Sequence, residues 1–331
     1  MDATLTPVRR RLRYEQHSTG KRVEPTERDV LWFQALQRHG PLPSHYLIEF
    51  TRHIRRSETR SLERLRDLYH EGNTPHGGPY LDRPRGQWSA LSKFLPAVYE
   101  NTPLAERALV ERGLIRVTTA PQRRLYHHRL MVACITASIE LAARQDSSLR
   151  FISEEEILAR SPNRSLAIPC RVSYTNLRTG KSQQLDAPLI PDAIFGLEYT
   201  AKGGKFYRFF MVEADRSHEP VRRADLRETS YLRKMLQYRE VIGNGGYRTH
   251  FGMKSAMLLL TVTTNIRHMR TIMEMAGEIA GRDCCFCLLF ATLPEFGDQL
   301  RTPDPCYRLL TEPWQRVGHP PIRIDQVADS E

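Results

Sequence analysis

"FYRFFMVEADRSHEP", residues 206–220, opens on aromatic and aliphatic side chains and closes on ionisable ones. The first half suits a buried strand, because large apolar side chains pack well on a pleated, half-buried surface. Glu213, Asp215 and Arg216 then follow almost together. Side chains alternate along a strand, so Glu213 and Asp215 point to the same face. Like charges so placed repel unless a cation or a proton intervenes. Two readings are open: a metal-binding sheet edge, or a solvated strand end whose acids pair with Arg216 and its neighbours.

Working outward, "APLIPDAIFGLEYT" (187–200) and a turn at "AKGGK" (201–205) supply the partner strand of a hairpin. With the turn centred between Lys202 and Gly203, Asp192 stands directly opposite Glu213. Cross-strand Cβ atoms so paired are about 4.5–5.5 Å apart. A slip of one residue turns Asp192 to the other face. In register, Asp192, Glu213 and Asp215 converge, and a hard divalent ion, Mg2+ or Mn2+, fits such a ligand set.

The flanks describe an α/β layer. "YHHRLMVACITASIELAARQ" (126–145) reads as a long, largely apolar helix led by His127 and His128, with Glu140 expected to face solvent. Adjacent histidines on a helix diverge, which argues against a shared metal. "LRFISEEEILA" (149–159) and "LAIPCRVSYTN" (166–176) read as strands before the hairpin. Residues 221–242 return to helical spacing; "SAMLLLTVTTN" (255–265) is a strand, "NIRHMRTIMEMAGEIAG" (265–281) a helix and "CCFCLLFATL" (284–293) a last strand. A hairpin followed by helix, strand, helix and strand predicts a mixed sheet flanked by helices.

The N-terminal part is different. Residues 1–25 hold Arg9, Arg10, Arg11, Arg13, Lys21 and Arg22 with little apolar content and read as a loose basic arm. "TERDVLWFQALQRHG" (26–40) is a helix with Thr26 as N-cap and Gly40 as stop, and "PLPSHYLIEFT" (41–51) is a second, short one. "SETRSLERLRDLYHEG" (57–72) is a third, capped by Ser57, with Leu62, Leu65 and Tyr69 as its inner stripe. "PYLDRP" (79–84) and "PAVYENT" (96–102) then read as wing strands, and a further helix starts behind Thr102 and Pro103. Three helices and a ribbon predict a winged helix-turn-helix over 26–120, followed by the α/β domain and a tail over 121–331. The third helix would enter the major groove, with Arg52, Arg55, Arg56, Arg60 and Arg64 as the candidate DNA contacts. Winged helices also serve as protein-binding modules, and that alternative stays open.

Composition agrees with a globular, basic protein: 331 residues, 40% apolar, 26% charged and a formal net charge of +11. An arginine-rich surface suits bidentate contacts to phosphate, though it equally solvates a surface. The six cysteines do not supply the two CxxC pairs typical of a structural zinc site, and the Cys-rich strand reads as apolar. No apolar run reaches bilayer length and no apolar segment follows the basic N-terminus. A cytoplasmic protein without a membrane partner is the expectation.

"PD" at 191–192, a hairpin, then "ExD" at 213–215 resembles the PD-(D/E)XK nuclease superfold. That resemblance implies that Asp192 and Glu213 bind Mg2+ and that a lysine two residues past the glutamate positions the attacking water. Here Asp215 occupies that position. Some members carry the lysine on the next helix, which points to Lys234 with Gln237 one turn on, and an acid from the preceding helix points to Glu140. The wider arrangement resembles the replication-relaxation family of plasmid and mobile-element proteins, over most of residues 26–300. A winged helix, a His-led helix, "PDA" (191–193), "VEADRS" (212–217) and "RKMLQY" (233–238) carry that likeness. It implies double-stranded DNA as partner, beside a relaxase or replication initiator, more firmly than it implies cleavage. Three functions follow: a DNA-binding accessory protein with a degenerate nuclease-like domain, a Mg2+- or Mn2+-dependent endonuclease using Asp192, Glu213, Asp215 and Lys234, or a winged-helix adaptor or repressor. Phosphate contacts give a steep salt dependence that an adaptor lacks.

Overall fold

A computed structural model describes residues 14–54, 57–87, 94–115, 125–176, 179–217, 219–280, 285–296 and 302–326. The chain divides into two units, Met1–His127 and His128–Glu331. The protein is mixed α/β, α+β overall, as the residue pattern predicts.

In the first unit, α1 (Glu27–His39) starts at a reciprocal cap: Thr26 accepts the Asp29 amide hydrogen, and Asp29 accepts that of Thr26. It stops at Gly40, whose φ of +93° favours glycine. β1 (Leu42–Pro43) leads into α2 (Ser44–Phe50), and α3 (Glu58–His70) is capped by Ser57. β2 (Leu81–Asp82) and β3 (Val98–Asn101) pair antiparallel, β3 lies between β1 and β2, and α4 (Pro103–Glu111) follows. Trp32 anchors α1 to α2, its indole N–H donating to Leu47 O at 2.6 Å.

The buried stripe of α3 is Ser61, Leu65, Leu68 and Tyr69, with Leu62 only half-buried, so the helix is rotated from the expected Leu62–Leu65–Tyr69 face. That rotation decides where its arginines go. Arg64 turns inward: Nη2 donates to the buried Asp29 at 2.7 Å and to Glu24 O at 2.5 Å. Arg60 is exposed, and no described residue pairs with its guanidinium. Arg52 is exposed and bridges to Glu49 at 3.1 Å. Arg55 and Arg56 lie outside the described residues. Part of the expected arm is not loose: the Thr19 amide donates to Glu71 at 2.9 Å, and Lys21 pairs with Asp67. The arginines of the arm at 9–13 lie outside the described residues.

Removing one partner of a buried charge pair leaves the other desolvated and uncompensated. Arg64→Ala is therefore expected to destabilise the first unit by about 3–5 kcal/mol, whereas Arg60→Ala stays within about 0.5 kcal/mol. Denaturant unfolding of the two variants checks this; equal midpoints would show that the Asp29 pair does not hold the unit together.

The second unit begins on α5 (Tyr126–Ala143) and continues through β4 (Leu149–Ile152), α6 (Glu154–Arg160), β5 (Arg171–Thr175), β6 (Ser182–Asp186), β7 (Ala193–Ala201) and β8 (Gly204–Asp215). Then come α7 (Tyr231–Gly243), α8 (Gly246–Phe251), β9 (Met257–Thr263), α9 (Ile266–Ala280) and β10 (Leu288–Thr292). The five-stranded sheet runs β10-β9-β8-β7-β4, antiparallel from β4 to β8 and parallel from β8 to β10. β5 and β6 form a separate hairpin. Phe151, Phe195 and Phe210 stack across three strands, with ring centroids 5.2 and 4.9 Å apart.

Three local expectations change. The second half of "LRFISEEEILA" is α6 rather than strand, nucleated by a Ser153–Glu156 capping box. The last strand starts at Leu288, past Cys285 and Cys287; Cys284 lies outside the described residues. Helix α7 starts only at Tyr231, behind Ser230 as cap. The C-terminal segment packs back on the core: Trp314 is buried, Gln315 and Phe290 exchange backbone bonds at 2.9 and 3.0 Å, and Tyr199 OH donates to Ile324 O at 2.5 Å. Among the described residues no helix is long and apolar enough to cross a membrane.

Candidate functional site

The hairpin register places the site. Ala193 pairs with Val212 and Ala201 with Gly204, the ladder that sets Asp192 level with Glu213. The Asp192 amide donates to Val212 O at 3.0 Å, and its carboxylate Oδ2 accepts the Ala214 N–H at 2.8 Å. His128, at the start of α5, meets the same oxygen through Nε2 at 3.0 Å. Asp192 is thus held from both sides, by its own sheet and by a helix.

Glu213 is 1% exposed. Residues four apart on a helix lie one above the other, so Lys234 and Tyr238 of α7 reach it together. Lys234 Nζ donates to Oε2 at 3.0 Å, and Tyr238 OH to Oε1 at 2.5 Å. Tyr231, on the same stripe, donates to Thr261 at 2.8 Å, and Thr261 is the cross-strand partner of Glu213. Lys234 also reaches Glu219 at 2.9 Å. One ammonium serves several acids. Burial pulls the Lys234 pKa down, but Glu213, Asp192 and Glu219 outweigh that and hold it charged, above the usual lysine range. Burial and then the Asp192 charge push the Glu213 carboxyl up to about 7, against the pull of Lys234 and Tyr238.

Asp215 does something else. Its Oδ1 accepts the Ser217 N–H at 2.8 Å, and Oδ2 meets His268 Nε2, on α9, at 2.6 Å. Ser217 sits at φ +60°, a strained conformation for a side-chain-bearing residue. The expected convergence of three carboxylates is therefore resolved into a pair, Asp192 with Glu213, and a separate Asp215–His268 dyad. Among the described residues no group of three or more His, Cys, Asp or Glu is arranged as for a metal ion. A hard divalent ion needs only one or two carboxylates when water and phosphate complete its shell, and the Asp192–Glu213 pair fits that pattern.

Glu140 stands apart. It is buried rather than solvent-facing, bound by Arg144 at 2.7 Å, and lies about 18 Å along α5 from His128 by helical rise. Gln237 donates to Ala187 O at 3.0 Å, steadying the segment that leads to Asp192. Tyr238 and His268 are candidate site residues that the sequence reading missed, whereas His128 was noted at the head of its helix but given no carboxylate partner. Tyr238 had a local signal, since it stands one turn beyond Lys234.

The replication-relaxation family matches residues 33–254, more than half of the chain, and the protein belongs to that family. The match takes in Asp192, Glu213, Asp215 and Lys234 and stops short of β9 and His268. No curated protein and no solved structure matches the chain. Membership suggests a role in the replication or relaxation of plasmid or mobile-element DNA.

The raised Glu213 pKa has a definite sign. The folded chain holds that proton more tightly than the unfolded one, so the contribution is fully present below pH 4.5 and is lost as pH rises through about 7. Glu213→Gln, which carries no charge to desolvate, is expected to gain several degrees in melting temperature relative to the wild type between acidic and mildly alkaline pH. Paired melting curves across that range test it; a constant difference would show that Glu213 keeps an ordinary pKa.

Proposed function

We propose that this chain binds DNA during plasmid or mobile-element replication or relaxation, and that its second unit cleaves one strand with the help of a divalent cation. The observation that carries the cleavage reading is the Lys234 ammonium on Glu213. From sequence, the acid at position 215 left the nuclease pattern without its lysine; α7 supplies a lysine at the same carboxylate from the other direction. Asp192 and Glu213 would hold Mg2+ or Mn2+, which polarises a scissile phosphate and acidifies a water for attack. His128 and the Ala214 amide fix the Asp192 carboxylate, and Tyr238 orients that of Glu213. Lys234 keeps a permanent positive charge beside the place where phosphoryl oxygens gain negative charge.

The helices and antiparallel ribbon of the first unit support a winged-helix reading, with α3 as the element offered to DNA. Arg60 is the best-supported contact there, being exposed and uncommitted, while Arg64 is already engaged with Asp29. A second reading, a DNA-binding accessory protein on a silent nuclease scaffold, is favoured by one fact: both Glu213 oxygens are occupied by protein donors.

Supercoiled plasmid incubated with Mg2+ or Mn2+ separates the two readings. Nicking by the wild type, abolished by Asp192→Ala and Glu213→Ala and lowered at least about a hundredfold by Lys234→Met, is the expected result. Salt-sensitive DNA binding with no nicking in any protein would leave the accessory role. Arg60→Ala should weaken duplex binding uniformly across sequences and reduce the salt slope by about 1; an unchanged slope would remove α3 from the interface.

A further inference from the structure

Asp215 and His268 are not used by the cleavage chemistry above, yet both are carefully placed. Asp215 is 5% exposed, and its two oxygens hold His268 Nε2 at 2.6 Å and the Ser217 amide at 2.8 Å. His268 is therefore fixed through one nitrogen, with its ring partly open at the surface. Arg267 and Arg270 flank it on α9; both are exposed, and neither guanidinium is paired with a described residue. No acid occupies the first turn of α9. The Asn265 side chain takes the amide hydrogens of Arg267 and His268 at 2.8 and 3.3 Å, so the side chains, not the helix end, are what remains to meet an anion.

The dyad also lies at a meaningful distance from the carboxylate pair. Glu213 and Asp215 are two residues apart on one strand face, about 7 Å by the rise of a strand. That is comparable to the step between neighbouring phosphates of one nucleic-acid strand. α7, which carries Lys234, and α9, which carries His268, pack side by side.

Resting on the cleavage reading, we propose that His268, oriented by Asp215 and flanked by Arg267 and Arg270, binds the phosphate next to the scissile one and so sets the path of the cleaved strand. An imidazolium donates from both ring nitrogens, so a ring held by a carboxylate on one side has a donor for a phosphate oxygen on the other. The two arginines meet the phosphates beyond. Asp215 then has a function that explains its departure from the usual lysine: it is a positioning residue for a substrate contact.

The test is plasmid nicking by the full chain, with kcat/KM measured across a salt series. His268→Ala should lower kcat/KM about tenfold or more, the worth of a charge-assisted hydrogen bond. The slope of its logarithm against log salt should lose about 0.9, the loss of one phosphate contact. His268→Lys should recover most of both, and Asp215→Asn should show a smaller loss that vanishes when His268 is already alanine. His268→Gln keeps the ring's approximate bulk and serves if the alanine variant melts early. Wild-type rates and slope in these variants, while Asp192→Ala is inactive, would overturn the role of His268 and leave the cleavage site standing. A wild type that nicks nothing would remove the cleavage site and this contact together.

Discussion

Two carboxylates set level across a hairpin and sealed from water repel each other, and the second unit meets that repulsion with one ammonium. Lys234 stands between Glu213 and Glu219, and Asp192 adds its charge from across the β7–β8 ladder. A buried acid that lacks a cation neutralises itself instead, which is the direction in which Glu213 is already pushed. The positions of α7, of Glu219 and of the start of β7 are all tied to this arrangement. Replacing the lysine alone leaves a surplus of negative charge in a buried site.

On the proposed cleavage reading, that dependence would give the cluster two states. In one, Lys234 and Tyr238 satisfy Glu213, as in the present structure; in the other, a divalent ion would take over the carboxylates and the ammonium would turn to substrate. A phosphate would bring its own negative charge to the site, so Lys234 would have a partner in either state.

Much of the frame could be read along the chain, because its signals are local. The Lys202–Gly203 turn set the hairpin register, and Thr26, Ser57 and Thr102 marked helix starts correctly. The α6 start carried the same capping signature at Ser153 and Glu156 but was read as strand, since the apolar residues before it belong to β4. What could not be read was long-range. His128 meets Asp192 across 64 positions and His268 meets Asp215 across 53, and nothing near either histidine announces its partner. Arg64 was misplaced for a related reason: from sequence, a helix rotated by one position looks the same, and only the buried Asp29 on α1 reveals which arginine faces in. Asp215 read as a third ligand because strand alternation gives a side chain's face but not its partner.

The backbone exchange between Gln315 and Phe290 bears on solubility. β10 is the last strand of the sheet, and its outer row of amides and carbonyls would be a template for pairing with another chain. The segment around Trp314 covers part of that row, and its own bond to Ile322 holds it folded over the edge. The C-terminal residues therefore guard the sheet against growing outward. A protein shortened before Trp314 would keep every group discussed at the carboxylate pair and still be prone to assemble edge to edge.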